Sequence, residues 1–319
     1  MNLITTTDLT RVLNITPQRI SALEKQLKID KDSVSIKGRL KHFSPEAVRK
    51  ILEHRGANYN IREVIAFCNN KGGVGKSSVA QQIALRLASL GYKILLIDAD
   101  PQGNSTNYFI GNQEFKYVLQ DVANGSLSIN DAIIKVNKNL SIVPSSLKNS
   151  FLDDTLRGMT GKVNPITFFK NKLKESQEQY NFILWDLSPS ISTTNMLALY
   201  SATQISIVTT LGEFSVQGVE MTYDVIQDCI ETSEGLYLPN VRVLINKLDA
   251  RLTTSLKFIS EIEELGLSLY DSVIRTDNKI EKSQQDKTSL PLNSNAQQDI
   301  NTFVNELLEQ LEDKQTLRH

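Results

Sequence analysis

Three carboxylates and two lysines in this chain are spaced as phosphoryl-transfer chemistry would need them. The lysines, Lys71 and Lys76, lie five residues apart across three glycines in "NNKGGVGKSS", residues 69 to 78. A phosphate-binding loop reads G-x-x-x-x-G-K-[ST]: its glycines turn backbone N–H groups inward as an anion nest, one lysine reaches the β/γ-phosphates, and a hydroxyl ligates Mg²⁺. Gly75, Lys76 and Ser77 fit the end of that pattern, and Asn70 stands where its first glycine would be. What remains is K-G-G-V-G-K-S-S, with Gly72, Gly73, Val74 and Ser78 completing the candidate cradle. The carboxylates are Asp98 and Asp100 in "KILLIDADPQGNST" (93 to 106) and Asp186 in "FILWDLSPS" (182 to 190). In such chemistry the protein positions reactants and neutralises charge. Lys76 is therefore expected to hold the β/γ-oxygens, Ser77 to ligate Mg²⁺, and Asp186 to hold the metal's shell through water. Asp98 lies on the same side of an extended chain as Asp100 and is read as a structural or metal-network carboxylate. An aspartate at a strand end also serves as a cap or turn residue, so it is the nearby phosphate loop that makes these chemical.

The elements that must position these groups are legible around them. "IREVIAFC" (61 to 68) is a β-branched apolar run, and "SSVAQQIALRLASLG" (77 to 91) repeats apolar residues at helical spacing up to Gly91, so strand, loop and helix come in the right order. Further apolar strands are expected at 93–98, 140–143, 181–186, 204–209 and 241–246, separated mostly by helical stretches. That alternation predicts an α/β fold with a doubly wound, mostly parallel sheet covered on both faces. Ligand sites in such sheets lie beyond the carboxyl ends of the strands, where each motif above falls.

Several segments together resemble the ParA/MinD group of deviant Walker ATPases, whose loop has the form K-G-G-x-G-K-[ST]. "DADPQGN" is similar to the second motif of the ParA branch, and "FILWDLSPS" to its Walker B strand, with Ser188 replacing the first of two prolines. "NLSIVPSS" (139 to 146) and "FSVQGVE" (214 to 220) also resemble family segments, so the likeness runs from about residue 61 to residue 319. The resemblance implies a ParA-like ATPase domain over 61–319, ATP and Mg²⁺ as cofactors, and slow hydrolysis. It implies that Lys71 crosses a dimer interface to the partner's nucleotide and that Asp100 orients the attacking water. It also implies a homodimer on ATP binding, sequence-independent DNA binding, and a ParB-like partner that stimulates hydrolysis and release.

Composition is compatible with this. With 319 residues and 40% hydrophobic content, the chain can bury a full core and is long enough for one large domain and a small one. Cys68 and Cys229 are its only cysteines, which argues for a reducing compartment and against a zinc site. They also disfavour an iron-protein-like reductase, since Cys68 falls in a strand. No basic and apolar leader opens the chain and no apolar run approaches a membrane span, so a cytoplasmic location and no membrane partner are expected, and the ParA-like resemblance implies association with the nucleoid.

The net charge of −1 conceals an asymmetry, because residues 1–60 carry 11 Lys+Arg against 6 Asp+Glu. "TTTDLTRVLNITPQRISALEKQL" reads as a short helix, a turn at Asn14, and a second helix capped by Thr16 with Pro17 at its first position. Val34 and Ile36 alternate with polar residues before a turn at Gly38, and Ser44 caps another helix. Residues 1–57 resemble a MerR-like winged helix-turn-helix, followed by a short linker near "HRGANYN" (54 to 60). Gln18, Arg19, Ser21 and Lys25 are then expected to face a major groove, and Lys37, Arg39 and Lys41 to meet phosphates, with an operator as a further DNA target. A helical module for dimerisation or partner docking, with solvated lysines, fits the same residues.

"NKLD" (246 to 249) is open between bases: N-K-x-D reads guanine in GTPases, whereas in the ParA/MinD group a residue near this strand end contacts adenine, which nominates Asn246. A plain turn after a strand accounts for Lys247 and Asp249 as well. In "SVIRTDNKIEKSQQDKTSLPL" (272 to 292) the resemblance nominates Arg275, Lys279, Lys282 and Lys287 for non-specific DNA, while Asp277, Glu281 and Asp286 among them suit a solvated surface. The final helix has an apolar stripe from Ile300 to Leu311 and an acidic opposite face, which fits packing against the domain rather than a membrane. A DNA-partition ATPase is the reading these features favour. An ATP-gated transcriptional regulator and a ParA-like positioner of a non-DNA cargo are the alternatives.

Overall fold

The computed structural model describes residues 4–37, 40–125, 127–159, 161–249 and 255–316. The amino-terminal part comprises β1 (Ile4–Thr5), α1 (Thr6–Leu13), α2 (Pro17–Gln26), β2 (Val34–Lys37), β3 (Leu40–Phe43) and α3 (Pro45–His54). Local chemistry sets these boundaries. The Thr5 hydroxyl accepts from Asp8 N while the Asp8 carboxylate accepts from Thr5 N, a capping box that starts α1. Asn14 ends that helix in the left-handed region (φ 49°), Thr16 accepts from Arg19 N to start α2, and Ser44 does the same for α3. The strands form one antiparallel sheet in the order β1-β3-β2, β1 being an added strand that the sequence pattern does not announce.

The remainder alternates as expected. Its elements are β4 (Glu63–Cys68), α4 (Lys76–Ser89), β5 (Ile94–Asp98), α5 (Asn104–Ile110), α6 (Leu119–Ala123), β6 (Ile134–Lys135), β7 (Leu140–Val143), α7 (Leu152–Arg157) and α8 (Phe168–Gln179). They continue with β8 (Phe182–Asp186), α9 (Thr193–Ser201), β9 (Gln204–Thr209), α10 (Glu213–Thr232), β10 (Asn240–Ile245), α11 (Ser255–Glu264), β11 (Ser268–Leu269), α12 (Asn278–Asp286) and α13 (Asn295–Thr316). Eight strands form a sheet in the order β11-β10-β9-β4-β8-β5-β7-β6, parallel throughout except where β6 runs antiparallel to β7. Both edge strands are two residues long.

Side-chain alternation along the central strands builds a core on each face. Ile65, Phe67, Phe182 and Leu184 join one cluster, and Val64, Ala66, Ile183 and Trp185 the other. Parallel register sets Asp98 beside Asp186, and Phe67 beside Asp186, so the phosphate loop and two carboxylates emerge together at one end of the sheet.

The amino-terminal elements share the first cluster. Ile4, Leu9, Ile20, Leu23, Phe43 and Ile51 pack in one continuous core with Ile83, Ala84 and Leu87 of α4 and Phe303 and Leu307 of α13. The expected linker is also packed: Tyr59 is 6% exposed, stacks on Tyr92 at 4.3 Å and donates to Leu90 O at 2.5 Å. Residues 54–60 read as a loop because Gly56 and three asparagine or histidine positions break the apolar pattern, and the pairing of Tyr59 with Tyr92 is invisible to a local reading. Among the described residues no helix is long and apolar enough to cross a membrane.

Candidate functional site

The loop after β4 is shaped by two left-handed glycines, Gly73 (φ 75°) and Gly75 (φ 92°). Gly75 caps α4 without a side-chain hydrogen bond, so the N–H groups of the first turn of a 14-residue helix are left for an anion. A Cβ on Gly75 would stand 2.3 Å from Asn246 Nδ2 and would be strained at that φ, so any other residue would displace the asparagine that braces the loop. Asn246 is 2% exposed and donates to Val74 O at 2.8 Å, and its Oδ1 is buried without a partner. Lys247, itself left-handed (φ 53°), donates to Gly73 O at 3.0 Å. The β10 end thus holds the loop from behind, and Asn246, nominated as a base contact, spends its N–H on the loop.

A cavity of about 480 Å³ opens in front of the loop, within the range of nucleotide-sized sites. Gly73, Gly75, Lys76, Ser77, Ser78 and Asp100 line it. Lys76 is 6% exposed and donates to Lys71 O at 3.2 Å; burial lowers its pKa, opposed mainly by Asp186. Ser77 and Ser105 hydroxyls donate to the two oxygens of Asp186 at 3.0 and 2.6 Å. Burial pushes the Asp186 carboxyl up to about 6, against the pull of those two hydrogen bonds. Among the described residues no three His, Cys, Asp or Glu side chains converge as a metal site. That suits Mg²⁺, which keeps waters and substrate oxygens and takes one or two protein ligands. An uncapped helix terminus, a glycine cradle, an enclosed lysine and a serine–carboxylate pair fit a nucleotide phosphate chain with its metal.

The other carboxylates divide. Asp100 reaches the cavity wall at 8% exposure, with its side chain accepting from Gln102 N at 2.9 Å. Asp98 is fully buried: its Oδ2 accepts from the backbone N and hydroxyl of Thr106 at 2.8 and 2.7 Å, and its Oδ1 accepts from Asp100 N at 3.3 Å. Burial, with Asp186 adjacent, holds it well above the usual carboxylate range. Asp98 does not line the cavity; its bonds fix the turn from β5 to α5 that carries Asp100.

The two loop lysines face different ways. Lys71 is half-buried outside the cavity lining and donates to Ser215 Oγ at 3.0 Å, which in turn bonds Thr210 Oγ1. Gly218 lets α10 approach: a Cβ there would lie 3.1 Å from Asn69 Oδ1 and 3.2 Å from Lys71 Cβ. Phe214 and Met221 stand exposed on the same helix, 69% and 51%. Nothing in the local sequence marks Ser215, Ser105, Tyr108 or Gln284. Gln284 lines the cavity from α12 and donates to Ser78 Oγ at 2.8 Å and Gln81 Oε1 at 3.1 Å. It lies in a charged run without periodic signal, so only tertiary packing identifies it.

The nominated DNA contacts are scattered. Gln18, Arg19, Ser21 and Lys25 are exposed on α2, whose Ile20 and Leu23 are buried. Lys41 is paired with Glu24. Lys37 ends β2, and Arg39 lies outside the described residues. Lys279 and Lys282 are exposed one turn apart on α12, and Lys287 donates to Asn107 Oδ1 at 2.9 Å. Arg275 precedes that helix and grips Asp299 with two nitrogens, Nη2 to Oδ1 at 2.7 Å and Nε to Oδ2 at 2.9 Å.

Residues 62–237 match the family described as "AAA domain". Among curated relatives, the chain is 32% identical over 186 residues to the cell division protein PomZ of Myxococcus xanthus, covering 58% of this chain and 57% of PomZ. It is 28% identical over 227 residues to the chromosome partitioning protein ParA of Caulobacter vibrioides, covering 67% of this chain and 81% of that protein. Of solved structures, an ATP complex of Cyanothece McdA superposes with a TM-score of 0.69 at 19% identity, covering 80% of this chain and 98% of the other. That likeness shows the fold, a P-loop α/β domain with a mostly parallel sheet. The chain spans less than two thirds of the length of PomZ.

Proposed function

This chain belongs to the AAA domain family, and from that premise we propose that it is a ParA-like partition or positioning ATPase with ATP and Mg²⁺ as cofactors. Its ATP-bound homodimer holds DNA without sequence preference, and slow hydrolysis, stimulated by a ParB-like partner, releases it. The observation that carries this reading is the division of the two loop lysines: Lys76 is enclosed in the cavity, whereas Lys71 is held on Ser215 at the start of α10. A lysine with no phosphate of its own to hold, beside exposed Phe214 and Met221, is suited to reach a partner's nucleotide.

When bound, Mg²⁺ neutralises charge on the β- and γ-phosphate oxygens. Lys76, Gly72, Gly73, Val74, Gly75 and Ser78 would cradle the phosphates, Ser77 would ligate the metal, and Asp186 would hold its shell through water. Asp100 orients the attacking water, with Asp98 fixing its turn. Asn246 braces the loop through Val74 O and is the candidate contact to the base through its unpartnered Oδ1. Arg275, Lys279 and Lys282 are the non-specific DNA contacts, Arg275 also holding Asp299. We assign residues 1–57 as a winged helix-turn-helix unit in which Gln18 and Arg19 read an operator and Lys37 and Arg39 meet phosphates. The ATPase unit is 61–319, and the protein acts on the nucleoid in the cytoplasm. The core shared by α1–α3 with α4 favours a second reading, an ATP-gated transcriptional regulator, because a nucleotide-driven shift of α4 would be felt directly by α3, which packs against it.

Sedimentation with a non-hydrolysable ATP analogue tests the main reading. Lys71→Ala should keep monomer nucleotide affinity and lose the ATP-dependent dimer, whereas an intact dimer would remove the crossing role. Titration of random-sequence duplex with ADP and with ATP separates the two functions. Binding that appears only with ATP supports partition or positioning, and equal binding with both nucleotides supports the regulator.

A further inference from the structure

Ten residues beyond Lys76 on the same helix, roughly 15 Å along its axis, α4 carries a second unusual cation. Arg86 is 5% exposed, and its Nε is buried without a hydrogen-bond partner. Among the described residues its guanidinium makes no hydrogen bond or ion pair. Asp8 of α1 acts on it through space, and that carboxylate already accepts two hydrogen bonds from Thr5, at 3.0 and 2.7 Å. Burial pushes the Arg86 guanidinium down to about 10, which leaves it charged at neutral pH. A buried charge is retained only where something compensates it. A void of about 10 Å³ beside it holds one water at most.

The larger space is a cleft of about 230 Å³ where α1, α4 and α13 meet. Arg86 stands in its wall and the exposed Arg11 at its edge, with Gln298, Asn301 and Asn305 of α13 opposite and Asp8 between. These are its titratable groups: two guanidiniums against one carboxylate. The Asn301 Oδ1 accepts from Gln297 Nε2 at 2.9 Å, which turns its amide nitrogen away from that bond.

We propose that this cleft is a second anion site, taking a small tetrahedral oxyanion such as phosphate or a compact phosphomonoester. Guanidinium forks and carboxamide N–H groups are the donors that oxyanions match. The volume falls below the roughly 300 Å³ at which nucleotide-sized pockets begin, and Asp8 disfavours polyanions. A ligand here would join the amino-terminal helices to the helix that carries the phosphate loop.

The test uses the full chain with saturating Mg-ADP, so that the loop is occupied, and inorganic phosphate as the probe in calorimetry. One saturable site per chain is expected, with a dissociation constant on the order of 1 mM. Arg11→Ala, at an exposed position that leaves folding intact, should weaken it about tenfold, the loss of one charge-assisted hydrogen bond. Arg86→Lys, which keeps charge and loses the fork, should weaken it at least as much. Sulfate should displace phosphate competitively. Absence of saturable binding up to about 100 mM phosphate, an affinity unchanged in Arg11→Ala, or failure of sulfate to compete would each overturn the proposal.

Discussion

The carboxyl end of the sheet and the basic surfaces of α2 and α12 both carry the charged residues that a DNA-linked ATPase would use, yet they treat them in opposite ways. At the sheet end Lys76, Asp98, Asp100 and Asp186 are each at least nine-tenths buried and each has a hydrogen-bond partner. On the surfaces, Arg19, Lys279 and Lys282 are exposed, and Lys41 and Arg275 are neutralised by Glu24 and Asp299. Burial converts residue type into role, because a desolvated charge must be answered by specific neighbours. Exposure leaves role to whatever binds.

Five variants sharpen that contrast, beginning with the largest effect. Lys76→Ala should weaken triphosphate binding by about 100-fold or more, since it removes a desolvated cation from the phosphate path; equilibrium binding of a fluorescent ATP analogue measures it. Phe43→Ala, in the core that the amino-terminal part shares with α4, should cost about 3–5 kcal/mol. It should also lower a single melting transition for the whole chain. Two transitions, with the nucleotide-stabilised one unmoved, would show that the amino-terminal elements fold independently. Gln284→Ala removes the α12 contact to Ser78 and should weaken nucleotide by about 1 kcal/mol, roughly fivefold. An unchanged affinity would detach α12 from the site. The smallest effect is expected for Lys279→Ala with Lys282→Ala: stability unaltered, but the slope of log K for DNA against log salt reduced by about 3.5, for four phosphate contacts per dimer. Arg275→Ala should in addition lower thermal stability, because it leaves the Asp299 carboxylate only the backbone N–H of residue 275.

The sheet was legible because its strands are short apolar runs bounded by turn residues: the expectation of 204–209 coincides with β9, and 140–143 with β7. The amino-terminal helices were legible through their caps, Thr16 and Ser44, since a cap is chemistry confined to a few residues. What was not legible depends on distant partners. β1 exists because Ile4 pairs with Phe43, and β11 because Ser268 pairs with Arg242. Gln284 reaches Ser78 across 206 positions. Arg86 sits in a helix whose apolar spacing marks a buried face, and nothing local says that a guanidinium would be enclosed there.

The two ends of the large sheet are each closed by a strand of only two residues, β6 and β11, and β6 runs against its neighbour. Such stubs offer a passing chain too few free backbone groups to extend the sheet. Copies crowded together on a common template are thereby denied the easiest route to irreversible fibre-like stacking. Their association is left to side-chain surfaces, which can let go as well as hold.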